Sequence, residues 1–439
     1  MSRLQHFGWF FSRGFGPQGW GHPYFDWGYR WTEPALYQQS ARELEQAGLD
    51  LVIIEDGPSL GSPETLDLRV RKAYGGPKHD PVALTSFLLA ATSHLGIAPT
   101  VNAGAWGPYL AARHFASLHH LSGHRVGVNV VTDVPSTRHY GVPRVTHDQA
   151  YDRADEWLRA VRELWHSWDD GALVDDPSTW HYADGSKLRR TRFEGEYFDV
   201  EGPLNAIPFT DGDPAIVSPG GSPKGIAFAG AHSDVQLALA PLQLDRVRAY
   251  RQRVIDAAVA AGRPAGAVKT LFVFKPEIVA SDEEVERVVR ASFDPSDEVL
   301  QAILQGQSSD LETDLTVLPL DRPVDPSIFG EHVSQGSIKG LLGTFDDFAS
   351  ATLRELLVAK ARKGRIDEHA GFVGTAEQVA DFIEEFGEEA DNDGFIFSGD
   401  LHPVTVHRYL DELVPVLRRR GILRREYGGG GIQGNLHGF

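Results

Sequence analysis

The chain has 439 residues, 41% of them hydrophobic, enough for a large buried core. Its 42 Lys and Arg stand against 61 Asp and Glu, a formal net charge of −19 that argues against nucleic acid or an anionic membrane surface as a general partner. Cysteine is absent, which excludes disulfides, thiolate metal sites and cysteine nucleophiles, and no apolar run approaches the roughly 18 residues of a membrane span. The N-terminus lacks a basic segment followed by an apolar one, so a cytoplasmic protein is the expectation.

Along the chain, strand-like runs fall near His6–Phe11, Leu49–Glu55, Leu95–Thr100, Arg125–Thr132, Ala215–Ser218, Val235–Ala240, Val268–Phe274 and Gly394–Ser398. Helical patterns lie near Pro34–Ala47, Pro81–His94, Pro108–Leu121, His147–Trp168, Pro223–Ala231, Asp245–Ala261, Ala376–Phe386 and Val404–Arg420. Strands alternating with helices point to parallel βαβ units, and eight of them to an α/β fold, a closed (β/α)8 TIM barrel. Thr375 and Gln378 have the spacing of a capping box, and Gly48, Gly262 and Gly421 follow helical patterns where a C-cap favours glycine. Polar insertions after strands 4 and 7, about Asp169–Asp213 and Ser281–Phe372, belong at the C-terminal mouth of the barrel, where lids sit. One barrel domain is expected over 1–427, with 428–439 a flexible, glycine-rich tail, disordered or docked on a partner subunit.

Several motifs carry competing readings. Gly14–Gly19 formally matches G-x-G-x-x-G, but Pro17 lies inside it and no helix opens there, so a dinucleotide fingerprint is not expected. His114, His119, His120 and His124 crowd one region without convergent ligand spacing; no metal is expected. Glu55, Asp56, Asp133 and Asp400 fall near strand ends, where paired carboxylates can serve a barrel hydrolase, or simply bond to loop backbone. Ile216–Gly225 reads as a strand, a glycine turn and a helix start, which suits a phosphate and equally a plain capped helix. Ten aromatics lie between Trp9 and Trp31, fit to line an apolar pocket or to cover the mouth or an interface.

The run His120–Asp133 resembles D-H-L-S-G-G-R-x-G-W-N-V-V-T-S of the nitrilotriacetate and dibenzothiophene-sulfone monooxygenases of the bacterial luciferase superfamily. Trp20–Pro23 is similar to that family's W-R-H-P, Tyr151–Glu156 to its Y-x-R-A-D-E and Leu164–Trp168 to its L-W-x-S-W. Gly195–Asn205 matches G-x-x-F-x-V-x-G-P-L-N, and Gly374–Ala380 matches G-T-P-E-Q-V-A with Ala376 for its proline. The chain departs at His124, Val128, Asp133, Ala150, Phe193 and Gly221, which implies an altered grip on the cofactor.

The resemblance implies a two-component monooxygenase. A separate NAD(P)H-dependent flavin reductase would supply reduced FMN, which reacts with O2 to give a peroxyflavin that oxygenates a small organic substrate. It places Asp56, Asn102 and Thr132 along the flavin, Tyr151, Gly221 and Ser222 at its phosphate, and His22 and Phe11 on the substrate side, with His22 the candidate proton donor. A homodimer or homotetramer is implied in the same way. The competing expectations are a deazaflavin-dependent oxidoreductase of the same superfamily, a barrel hydrolase using carboxylates, and a non-catalytic flavin-binding barrel.

Overall fold

A computed structural model describes residues 3–11, 30–63, 65–71, 73, 76–209, 212–311, 313–329, 351–399 and 406–439. Eight parallel strands close into a barrel: β1 His6–Phe11, β2 Leu51–Ile54, β3 Gly96–Asn102, β4 Gly127–Val131, β5 Ala215–Pro219, β6 Val235–Ala238, β7 Lys269–Phe274 and β8 Gly394–Gly399. Each pairs with its chain neighbour, and β1 pairs with β8 to close the ring. At that seam Gly394 has φ of 156°, and a Cβ there would lie 1.9 Å from the His6 carbonyl oxygen, so closure requires glycine.

The period of two sorts the strand residues into two cores. Leu51, Ile53, Ala98, Val217, Leu237, Leu271 and Ile396 fill the barrel. Phe7, Trp9, Phe11, Val52, Ile54, Phe272, Phe274, Phe395 and Phe397 belong to the larger cluster shared with the helices outside. Those helices are α1 Pro34–Ala47, α2 Pro81–Leu89, α3 Pro108–Leu121, α4 His147–Trp165, α5 Pro223–His232, α6 Leu244–Ala260, α7 Ala376–Glu389 and α8 Val414–Arg420. Capping boxes open α4 (Thr146 with Gln149) and α7 (Thr375 with Gln378).

Three helices end or begin differently from their sequence patterns. α2 stops at Leu89; Ala90 and Ala91 N–H still bond the carbonyl oxygens of Ser86 and Leu88, and beyond them the backbone turns to a side chain. The Glu45 carboxylate accepts from the backbone of Ser93, His94 and Leu95. α4 stops at Trp165, where the Ser167 hydroxyl donates to the Leu164 carbonyl oxygen at 2.7 Å. The last barrel helix begins with a π-turn, Arg408–Leu413, next to Pro415, whose missing N–H cannot continue the i→i−4 ladder; residues 404 and 405 lie outside the described residues.

The segment after β4 forms two hairpins, Leu173–Asp176 with His181–Ala183 and Arg192–Glu194 with Asp199–Glu201. The second is anchored by Glu156 of α4, whose carboxylate accepts from the backbone N–H of Glu196, Tyr197 and Phe198 at 2.9, 2.7 and 2.7 Å. After β7 come helices Asp282–Ala291, Asp297–Asp310 and Leu353–Ala361; Leu300, Leu304, Leu353 and Leu357 belong to a small separate core. No helix among the described residues is long and apolar enough to cross a membrane.

The C-terminal segment departs from the expectation of a flexible tail. Gly431–His437 forms a short helix, α9, whose Ile432 and Leu436 join the core inside the barrel. The Asn435 amide donates to the carbonyl oxygens of Asp50 and His94, and Arg424 pairs with Asp50. The helix thus closes the end of the barrel from which the strands start.

Candidate active site at the C-terminal mouth of the barrel

The strand ends opposite α9 form an open mouth, the usual place for chemistry in this architecture. Strand alternation turns Phe10, not Phe11, toward the interior: Phe10 packs against the core inside the barrel, while Phe11 is fully buried with Phe7 and Trp9 on the helix side. Phe11 therefore does not face the barrel interior, as its expected place on the substrate side would require; Phe10 does. Leu239, one residue past β6, is 72% exposed and adds apolar surface at the strand ends. His22 and Asp400 lie outside the described residues.

Asp56 lies two residues past the end of β2. Its carboxyl is pushed up to about 6, first by burial; Lys78 opposes this, while Glu55 and Asp80 add to it. Lys78 itself bonds Glu55 at 2.7 Å. The phenol of Tyr140 is raised by burial and then by the negative charges of Asp56, Asp80 and Asp133. These groups make one side of the mouth acidic.

Asn102 ends β3. Its amide donates to the Asp133 carbonyl oxygen at 2.7 Å and the Ser136 hydroxyl at 3.2 Å, and its oxygen accepts from Gly104 N–H at 2.9 Å. It ties together the loops that leave β3 and β4. Thr132 is half-buried just after β4. Asp133, where the resembling family has serine, is exposed, so its charge is solvated rather than turned into the barrel. Below these residues Asn129 donates to Thr100, which donates to the Ile54 carbonyl oxygen, each at 2.7 Å; Asn129 Oδ1 is buried without a partner among the described residues.

Tyr151, Gly221 and Ser222 do come together. Tyr151 lies on the first turns of α4 and is buried; its hydroxyl makes no hydrogen bond among the described residues. That hydroxyl faces the turn between β5 and α5: a Cβ on Gly220 would come within 2.4 Å of it, and one on Gly225 within 2.8 Å. Ser222 is the N-cap of α5, and its Oγ accepts from Gly225 N–H at 3.1 Å, leaving its hydroxyl proton free to donate outward. The unpaired N–H groups of the helix start add positive potential at the same point. A phosphate monoester suits this donor set, and only glycine leaves the required room.

Two residues that brace the turn escape a sequence reading. Gln236 donates to the Gly220 carbonyl oxygen at 2.9 Å and to the Tyr250 hydroxyl at 3.0 Å. The available signal was a glutamine on a strand whose other residues are apolar. Among the described residues no group of three His, Asp or Glu is arranged to hold a metal ion.

Comparison with known proteins identifies the family. Residues 6–392 match the family model described as luciferase-like monooxygenase. Dibenzothiophene-sulfone monooxygenase of Rhodococcus erythropolis is 33% identical over 410 residues, 91% of this chain and 89% of that protein. Nitrilotriacetate monooxygenase component A of Aminobacter aminovorans is 30% identical over 430 residues, 95% and 92% of the two chains. The crystal structure of a riboflavin lyase with modified FMN and riboflavin superposes with a TM-score of 0.80 at 28% identity, covering 100% of this chain and 96% of that one. The chain belongs to the luciferase-like monooxygenase family.

Proposed function

We propose that this protein is the oxygenase component of a two-component system. It takes reduced FMN from an NAD(P)H-dependent flavin reductase and uses O2 to oxygenate a small organic substrate, as a cytoplasmic homodimer or homotetramer. The observation that carries the reading is the Tyr151 hydroxyl, without a hydrogen bond among the described residues, set over the Gly220–Ser222 turn at the start of α5. Reduced FMN, when bound, supplies the electrons that activate O2.

The chain's own residues then have separable tasks. Tyr151, Gly221 and Ser222 hold the phosphate. Asp56, Asn102 and Thr132 border the flavin, Asn102 mainly by fixing the loops around it. Phe10 and Leu239 offer apolar surface that helps to exclude water. His22 remains the proposed proton donor on the substrate side.

The test is a fluorescence titration of the Tyr151→Phe, Ser222→Ala double variant with reduced FMN under anaerobic conditions. Two lost hydrogen bonds to a charged group, about 1.5–3 kcal/mol each, should weaken binding at least about a hundredfold. Unchanged affinity would remove the phosphate assignment. Wild-type binding of a deazaflavin in preference to FMN, without substrate-coupled O2 uptake, would replace the monooxygenase reading by that of a deazaflavin-dependent oxidoreductase.

A further inference from the structure

A second cavity, of about 850 Å3, opens where the chain leaves β7. Its walls come from the β7 exit, the helix Asp282–Ala291, the segment 362–373 and the π-turn before α8. No residue of the Tyr151–Ser222 cradle lines it.

Its charge is opposite to that of the molecule. Lys275, Arg287, Arg362, Lys363 and Arg408 line it, against the carboxylates of Glu277 and Glu284, in a chain whose net charge is −19. Three of the cations are engaged: Lys363 with Glu277 at 2.5 Å, Arg287 with Glu284 at 3.0 Å and Arg408 with Glu412 at 2.8 Å. The other two are not. Among the described residues, exposed Lys275 has no ion pair, and the Arg362 guanidinium has none either and lies over the ring of Phe293, 5.5 Å away.

The remaining lining is apolar, with Ile278, Val288, Phe372 and Tyr409 contributing. One wall is held by backbone packing. A Cβ on Gly364 would lie 2.0 Å from the Ala370 carbonyl oxygen, and Val373 N–H donates to the Gly364 carbonyl oxygen at 3.0 Å. The Tyr409 hydroxyl fixes another wall by donating to the Pro276 carbonyl oxygen at 3.0 Å. The volume is within the range of small-molecule pockets, roughly 300–1,000 Å3.

We infer that this cavity binds an amphipathic organic anion, with its carboxylate or sulfonate head between Lys275 and Arg362 and its apolar body on Phe372, Val288 and Ile278. Two unneutralised cations beside an apolar floor select for that combination over either a neutral hydrocarbon or a small inorganic anion.

The test is calorimetric titration of the full-length protein, without flavin, with octanoate and 1-octanesulfonate, and with octanamide as the neutral counterpart. The anions should bind one per chain and octanamide at least about tenfold more weakly. Raising the salt concentration should reduce the difference. Lys275→Gln with Arg362→Gln should cut anion affinity at least about tenfold while leaving octanamide binding and the melting temperature unchanged. Val288→Trp, which fills the floor, should remove binding of all three. Absence of anion binding, equal binding of octanamide, or full anion affinity in either variant would overturn the proposal. Flavin takes no part in these measurements, so their failure leaves the cofactor reading intact.

Discussion

The hydroxyl of Tyr151 and the α-carbon of Gly220 are so close that a single added methyl would collide with the hydroxyl oxygen, at 2.4 Å. Gly220 also has φ of 117°, a conformation that side chains rarely adopt. Gly220→Ala should therefore push the turn and Tyr151 apart and destabilise the protein by about 1–3 kcal/mol. Its main effect should be on reduced FMN, with affinity falling at least about tenfold. A fluorescence titration that gave wild-type affinity would show that the turn does not set the cradle.

Asp56 should make flavin binding depend on pH. Its carboxyl titrates at about 6, above its ordinary 3.8, chiefly through burial. The sign follows directly. Between about pH 4 and 6 the folded protein holds a proton that the unfolded chain has released, so stability falls across that window and stays at its lower level above about pH 6. Asp56→Asn should raise the melting temperature at pH 8 and leave it nearly unchanged near pH 4. An ionised Asp56 also opposes an anionic reduced flavin, so affinity should fall as pH rises through about 6, and the asparagine variant should flatten that profile.

His119 should produce an opposite slope. Its ring is 2% exposed and stacked on His124 at 4.6 Å. Burial, then the positive charges of His124 and His120, lower it to about 4, against a smaller opposing effect of Asp213. The stability contributed by the neutral ring is complete above pH 6.5 and lost as pH falls toward 4, at most ~3 kcal/mol from this group. His119→Phe should reduce the loss of urea resistance between pH 7 and 4.5. An identical loss in the variant would assign the acid sensitivity elsewhere.

The floor of the barrel gives a prediction independent of the mouth. Ile432 and Leu436 are fully buried in the interior core. Ile432→Ala should cost about 2–4 kcal/mol, since the strands around it cannot collapse into the space. Removing residues 429–439 should cost more, because the backbone carbonyls that receive Asn435 also lose their partner. Urea unfolding at constant m-value measures both. An unchanged midpoint on truncation would mean that the helix does not support the barrel.

The barrel was legible because its signals are local. Apolar runs such as Gly127–Val131 and Ala215–Pro219 are closed by turn residues, and Thr375 with Gln378 marks a helix start that the backbone adopts. The phosphate cradle was partly legible, since Gly220–Pro223 shows a turn and a cap within a few residues. Its braces, Gln236 and Tyr250, were not, because each meets the turn from a different element.

Phe11 marks the limit of a local reading. A continuous run of Phe and Trp does not say which of two alternating sets faces inward; the register of β1 against β2 and β8 does, and it selects Phe10. The C-terminal helix makes the same point. A glycine run reads as flexible, yet Gly431 and Gly434 pass so close to other backbone that only glycine fits, and Ile432 and Leu436 then find the open end of the barrel. What the amino-acid order determined by itself was periodicity, caps and turns, which depend on neighbours a few residues apart. Which face is buried, what closes the barrel floor, and where cations gather beside an apolar wall depended on contacts between residues distant in the chain, and only the tertiary structure decided them.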